Sequence, residues 1–209
     1  MIFVEYNNNY YNLLEEYFRH PLTPTNNSSH KIFKTHLYDG VNGILGMLVD
    51  NNNIVAVSSA ILVNENNIKS CKYPHRLHVR SDHSYISNKF IDYYWDPLLF
   101  QWLEKKNIKN VYCTFNEDNS NAFLWAAIRH SRRLKNSKYI NNFGKNILKQ
   151  KWYIYPKIIT EMNTWQYLIY STPDNKWFYN HREEKNMPTD IKEKLDEKFI
   201  FVSDFGWQI

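Results

Sequence analysis

The chain is predicted to fold as a mixed α/β (α+β) domain built on one sheet, and three observations carry that prediction. Residues 43–49 and 54–63 are strand-like apolar runs joined by Asp50-Asn51-Asn52-Asn53, a turn of the kind that closes a tight antiparallel hairpin, because Asn and Asp tolerate left-handed backbone. Apolar periodicity then changes from two over residues 75–81 to three and four over residues 88–106, the mark of a strand followed by a helix. Residues 152–160 and 164–171 form a second hairpin pattern around Glu161-Met162-Asn163.

Taken in order, residues 2–6 read as a short strand. Residues 10–19 read as a helix with Leu13, Leu14, Tyr17 and Phe18 on its apolar side. Residues 20–29 are rich in Pro, Asn and hydroxyl side chains and read as a loop, and 31–37 as a further short strand. Residues 64–74 are polar and read as a loop. Over 75–81, Leu77 and Val79 share a face with His75, while Arg76, His78 and Arg80 point the other way. In the helix of 88–106, Pro97 interrupts the pattern. Either Asp96 caps a restarted helix with Pro97 in its first turn, or the helix kinks there. Asn107-Ile108-Lys109-Asn110 ends that helix, and residues 111–115 read as a buried strand. A second helix is expected over 119–133, with Phe123, Leu124, Ala127 and Ile128 apolar. In the tail, residues 189–198 read as a charged helix and 199–202 as a strand. The expected organisation is a domain over 1–172 with its core at 38–172, and a C-terminal extension over 173–209 packing on it.

Composition narrows the function classes. Hydrophobic residues are 43% of the 209, and aromatics 17%, so wholesale disorder is excluded and a real core is affordable. Abundant Asn, Lys, Ile and Tyr with only 5 Gly is what an AT-rich genome produces, and a viral or phage source is compatible with it. A net charge of +5 suits a phosphate-bearing partner, whether nucleic acid or a phosphorylated cofactor, without itself defining a site. Cys71 and Cys113 form no CxxC pair. They are expected to be reduced thiols, although a single disulfide between them is the other reading. No metal site is expected, because His75, His78 and His83 have no thiolate beside them. No apolar run approaches the ~20 residues of a membrane-spanning helix. Residues 1–6 lack the basic start of a secretory leader, so the expected compartment is cytoplasmic, the host cytoplasm if the source is viral.

Hairpin, strand, helix, strand, helix, hairpin is an uncommon order, and a strand–helix–strand crossover places two parallel strands between antiparallel ones. This order over 38–172 resembles the GNAT superfamily of N-acetyltransferases. The stretch Lys109–Ala122 resembles that family's second central strand and the Asn-containing loop after it, with Asn119 and Ala122 at the matching places. The resemblance implies a mixed sheet with antiparallel hairpins flanking a central parallel crossover. It also implies an acyl-CoA, acetyl-CoA above all, lying between the central strands, with its pyrophosphate where the first strand turns into its helix, the end of a helix that offers free amides.

On that alignment the cofactor contacts are Leu77 and Val79 on the strand, Ser84, Tyr85, Ile86, Ser87, Asn88 and Lys89 in the turn, and Asn119. Ser84, Ser87 and Lys89 stand where family members carry Arg or Gln, Gly, and Gly or Ala. Lys89 would supply charge in place of glycine geometry. The family's acidic tyrosine is replaced by Ala126, with Trp125 beside it. A base must take a proton from the attacking amine, and a group titrating near neutrality suits that task. His78, on the strand, is the first candidate and His83, in the turn, the second; both are also ordinary residues for a strand face and a loop.

Other clusters have bland readings beside functional ones. Glu117 and Asp118 are a loop pair ahead of a helix. Arg129, His130, Arg132, Arg133, Lys135 and Lys138 form a basic cluster that suits a helix C-terminus, a CoA phosphate or a nucleic-acid backbone. The Trp177-Phe178-Tyr179 and Phe205-Gly206-Trp207 clusters suit packing more than base stacking. The expected function is an acyl-CoA-dependent N-acyltransferase acting on a primary amine, small-molecule or peptide, as monomer or homodimer. The alternatives are an inactive binding or structural module of the same fold and a basic protein associated with nucleic acid. The acceptor would be chosen by residues 10–37 and 145–155.

Overall fold

The structure is a computed structural model, and it describes residues 1–23, 37–65, 68–116, 137–150, 152–159 and 164–171. The expected strand at 31–37 (all but Leu37), the helix at 119–133, residues 160–163 and the whole extension 173–209 lie outside the described residues.

Seven strands hydrogen-bond in the order β1-β2-β3-β4-β5-β7-β6. They are β1 (Ile2–Glu5), β2 (Gly43–Asp50), β3 (Asn53–Glu65), β4 (Ile68–Val79), β5 (Val111–Asn116), β6 (Trp152–Ile159) and β7 (Thr164–Ser171). β1 with β2, β2 with β3, β5 with β7 and β6 with β7 are antiparallel. Between β4 and β5 the chain crosses over through helix. The Cys71 amide near the start of β4 donates to the carbonyl of Asn110, just ahead of β5, at 2.9 Å, so the two strands begin at the same end. That is the parallel crossover between antiparallel hairpins.

Two compact units divide the chain: Met1–Leu62 with Lys72–Trp102, and Val63–Cys71 with Leu103–Ile209. The first holds β1, β2 and most of β3 and β4. Every residue of β2 from Gly43 to Leu48 is buried, which explains its unbroken apolar run: both faces of the sheet are covered there. On one face lies α1 (Tyr11–Arg19), whose Leu14, Tyr17 and Phe18 pack with Leu45, Met47, Ile54 and Val57. On the other lies the long helical run of α2 (Ser87–Phe90), a π turn (Ile91–Trp95) and α3 (Asp96–Lys106). Phe3 of β1 meets this run, stacking on Tyr94 at 5.5 Å and meeting Phe90 at 6.2 Å.

The β2–β3 turn is closed by Asn51 and Asn52 at φ of 47° and 63°, the left-handed pair that a two-residue hairpin loop requires. One residue further on, the ladder slips: Val49 faces Ile54 while Leu48 faces Ala56, so Val55 is a bulge. Its carbonyl receives the amide of Arg80 at 2.9 Å, which fixes the end of β4. Pro97 produces no capped restart. Asp96 is helical (φ −61°, ψ −43°) and its amide reaches back to the Ile91 carbonyl, so the chain passes the proline through one widened turn. Asn107 (φ 52°) ends α3, with its amide on the Glu104 carbonyl and that of Ile108 on Leu103, both at 3.0 Å.

The expected loop at 64–74 is a correction. β3 runs on to Glu65 and β4 starts at Ile68. Ser70, Cys71 and Tyr73 are buried and Lys69 is exposed, so pairing with neighbouring strands outweighs the polar composition. The alternation of Cys71 and Tyr73 about Lys72 was the available signal.

In the second unit, the structure adds a 3-10 turn (Ser137–Tyr139) and a helix that the sequence pattern did not suggest, α4 (Asn142–Leu148), which overlaps the start of the 145–155 segment expected to choose the acceptor. Asn141 caps it, accepting the Gly144 amide at 2.8 Å, while its own side-chain amide donates to Glu104 at 2.7 Å. Cys71 and Cys113 are reduced, with no disulfide between them, and burial pushes the Cys71 thiol well up from its ordinary range.

Candidate active site at the end of strand four

β4 ends at Val79, and the chain goes straight into a 3-10 turn, Ser81–Ile86, which leads into α2. Three bonds hold the strand end in place besides the sheet. The Tyr17 hydroxyl donates to the His78 carbonyl at 2.9 Å, the Ser81 amide donates to the Leu22 carbonyl at 2.9 Å, and the Arg80 amide reaches Val55. Leu77, His78, Val79 and Arg80 are all half-buried.

The two candidate histidines differ in surroundings. The His78 ring lies edge-on to Phe18 of α1, centroids 5.9 Å apart at 84°. His83 sits among charges. Its Nδ1 is 3.0 Å from Asp82 Oδ1 and its Nε2 is 4.0 Å from Asp50 Oδ2 at the hairpin turn. The Asp82 contact is close but not aligned as a hydrogen bond. Asp50 also faces the Met1 amino group at 3.6 Å. Arg80 grips Asp82 with both arms of its fork, Nε at 3.1 Å and Nη2 at 2.6 Å. Those bonds, with His83 beside them, hold the Asp82 carboxyl well below the usual carboxylate range. Burial pushes the Tyr17 phenol up, so it is a neutral donor throughout the physiological range.

The turn itself differs from a bare-amide cradle. The His83 amide donates to Arg80 and the Ser87 amide to Ser84, so these groups are used inside the turn. Ile86 is buried and can offer only its backbone. Ser84, Asn88 and Lys89 are exposed, Ser87 is half-buried, and Tyr85 is 73% exposed, its ring stacked on His83 at 6.0 Å. A hydroxyl, a carboxamide and an ammonium therefore face solvent within one stretch of turn and helix, and these donors fit phosphate oxygens through side chains. Asn119, Glu117, Asp118, Ala126 and the basic residues 129–135 lie outside the described residues. Lys138 is described, in the 3-10 turn, with its ammonium 4.8 Å from the centre of the Tyr139 ring.

Sequence reasoning placed His78 and His83 together as bases but missed Asp50, Asp82 and Arg80. Arg80 and Asp82 both shortly precede His83 in sequence, and their i, i+2 charge alternation was visible. Among the described residues no group of three or more His, Cys, Asp or Glu could hold a metal ion, and no helix is long and apolar enough to cross a membrane.

Hairpins flank a parallel strand–helix–strand crossover, the mixed α/β element order expected from the sequence. No protein-family model matches the chain, and no curated protein matches it in sequence. It is similar to solved structures of N-acetyltransferases. The aminoglycoside 6′-N-acetyltransferase from Enterococcus faecium is 15% identical, with a TM-score of 0.46 over 82% of this chain and 97% of that one. The ribosomal-protein-S18-alanine N-acetyltransferase from Escherichia coli is 12% identical, with a TM-score of 0.45 over 85% and 99%. A variant of the spermidine N-acetyltransferase from Vibrio cholerae is 8% identical, with a TM-score of 0.43 over 82% and 94%.

Proposed function

We propose that the protein is an acyl-CoA-dependent N-acyltransferase, of acetyl type, acting on a primary amine. The observation that carries this reading is the end of β4, a strand of the parallel crossover that runs into a helical turn with His78 half-buried on the strand and exposed phosphate donors just beyond it. When bound, acyl-CoA supplies the thioester carbonyl that an amine attacks. Ser84, Asn88 and Lys89 would hold its phosphates, with Tyr85 and Ser87 beside them. The half-buried Leu77 and Val79 would line its chain, and Asn119 is assigned to the same task from the sequence.

His78 is the base. It would take the proton that the amine loses as the new C–N bond forms and the thioester C–S bond breaks, with CoA leaving as a thiolate that takes its proton from solvent. Its ring stands edge-on to the Phe18 ring of α1. His83 is assigned a bracing role instead, because its two nitrogens lie 3.0 Å and 4.0 Å from the carboxylates of Asp82 and Asp50.

A second reading, a non-catalytic module of the same fold, is favoured by one observation. The turn spends the His83 and Ser87 amides internally and carries the Asp82 carboxylate. Thermal denaturation with acetyl-CoA and with CoA separates the two. A ligand specific to the native state must raise the melting temperature by mass action, and no rise at millimolar cofactor overturns the enzyme reading. A salt-sensitive rise with mixed-sequence DNA or RNA in place of cofactor would move the assignment to nucleic acid.

A further inference from the structure

We infer that Tyr17 is a positioning residue that, with Phe18, sets where the His78 imidazole stands; this rests on the reading of His78 as the base. Tyr17 is buried at 3% exposure, and its hydroxyl crosses from α1 to donate to the His78 carbonyl, 61 residues away in sequence. The next residue supplies the second constraint. Phe18 stands edge-on to Tyr17 at 5.3 Å and 77°, and His78 edge-on to Phe18 at 5.9 Å and 84°, so three rings in succession meet edge to face. The end of α1 that carries them is itself tied. The Tyr17 carbonyl accepts from the Thr23 hydroxyl at 2.7 Å and from the His20 amide at 3.2 Å, and the Ser81 amide binds Leu22.

A core role would be met equally well by phenylalanine, which fills the same volume with no polar atom to satisfy. The hydroxyl is therefore the discriminating group. It fixes the strand at the residue whose side chain does the chemistry, while the neighbouring ring limits that side chain's rotation. Positioning of this kind acts on the chemical step and leaves cofactor binding unchanged.

The test uses the full chain and the variants Tyr17→Phe, Phe18→Leu and His78→Gln. The primary readout is the two-bond 1H–15N spectrum of the imidazole rings, with the His78 signals assigned by their loss in His78→Gln. In Tyr17→Phe the His78 ring signals are expected to shift or broaden while those of His83 stay in place. In turnover with any amine that the wild type acetylates, kcat is expected to fall roughly tenfold at unchanged KM for acetyl-CoA. Phe18→Leu should move the same His78 signals, and it serves alone if Tyr17→Phe does not fold. Unmoved His78 signals in the folded variants overturn the proposal. If His78→Gln keeps full transferase activity, the base assignment fails instead, and the ring signals of Tyr17→Phe still report whether the hydroxyl orients the ring.

Discussion

His83 and Asp50 face each other across 4.0 Å, Nε2 to Oδ2, joining the turn that ends β4 to the turn of the β2–β3 hairpin. With Asp82 at 3.0 Å from the other ring nitrogen, His83 is a brace between two carboxylates. Its loss should therefore show in stability and not in chemistry. His83→Gln is expected to lower the melting temperature by a few degrees, the equivalent of about 1 kcal/mol, while keeping most of the turnover. His78→Gln should do the reverse, with little effect on melting and a loss of roughly a hundredfold or more in kcat. Side-by-side melting curves and kinetics decide it. Equal kinetic losses in the two variants would return His83 to the candidate bases.

Asp82 gives the acid limb of stability. Arg80 and His83 hold its folded-state pKa below the unfolded value. The unfolded chain then binds this proton first as pH falls, and the stabilisation, complete above about pH 4, is lost on descending through the folded pKa. Melting temperature measured from pH 6 down to pH 2.5 should fall less steeply for Asp82→Asn than for the wild type. An identical slope would show that the Arg80–Asp82 pair contributes nothing in solution, as exposed pairs often do not.

Two glycines separate steric crowding from backbone strain. A Cβ on Gly43 would lie 2.4 Å from the Leu37 carbonyl oxygen and 2.7 Å from that of Ala60, backbone atoms that cannot step aside. Gly40 has nothing within 4 Å of such an atom, but its φ is +75°. Gly40→Ala should cost about 1 kcal/mol, from conformation alone. Gly43→Ala should cost about 3 kcal/mol. Urea denaturation midpoints for the two variants check the order, which is the point at issue; a reversal would mean that the 37–43 segment gives way more easily than its contacts suggest.

What the sequence revealed and what it hid follow from the range of the interactions. The β2–β3 hairpin was legible because Asn51 and Asn52 carry their own turn chemistry, and both take the left-handed backbone expected of them. The long helix after β4 was legible from its period, but its π turn was not, since nothing local says how Pro97 will be absorbed. The first half of β4 was hidden by its lysines and serine, and the burial of Ser70, Cys71 and Tyr73 depends on strands distant in the chain. α4 was hidden because its capping residue, Asn141, sits in a run of asparagines, and its Glu104 partner lies on another helix. At the site, His78 and His83 were legible as residue types. Their different surroundings depend on Phe18, Tyr17 and Asp50, which only the fold brings to them.

Tyr17 also predicts an alkaline limb. Burial raises its phenol above the ordinary tyrosine range, so the folded protein holds the neutral form after the unfolded chain has begun to ionise. For a group raised on folding, stability is complete below the unfolded value near 10 and is lost as pH climbs above it. Chemical denaturation between pH 8 and pH 11 should therefore show the wild type losing stability above about pH 10. Tyr17→Phe should start lower, because the His78 carbonyl loses a donor worth about 1 kcal/mol, but should fall less steeply over the same interval. The curves of the two proteins thus converge as pH rises. Parallel curves would mean that the phenol is open to water, and that the bond tying α1 to the end of β4 is not held in solution.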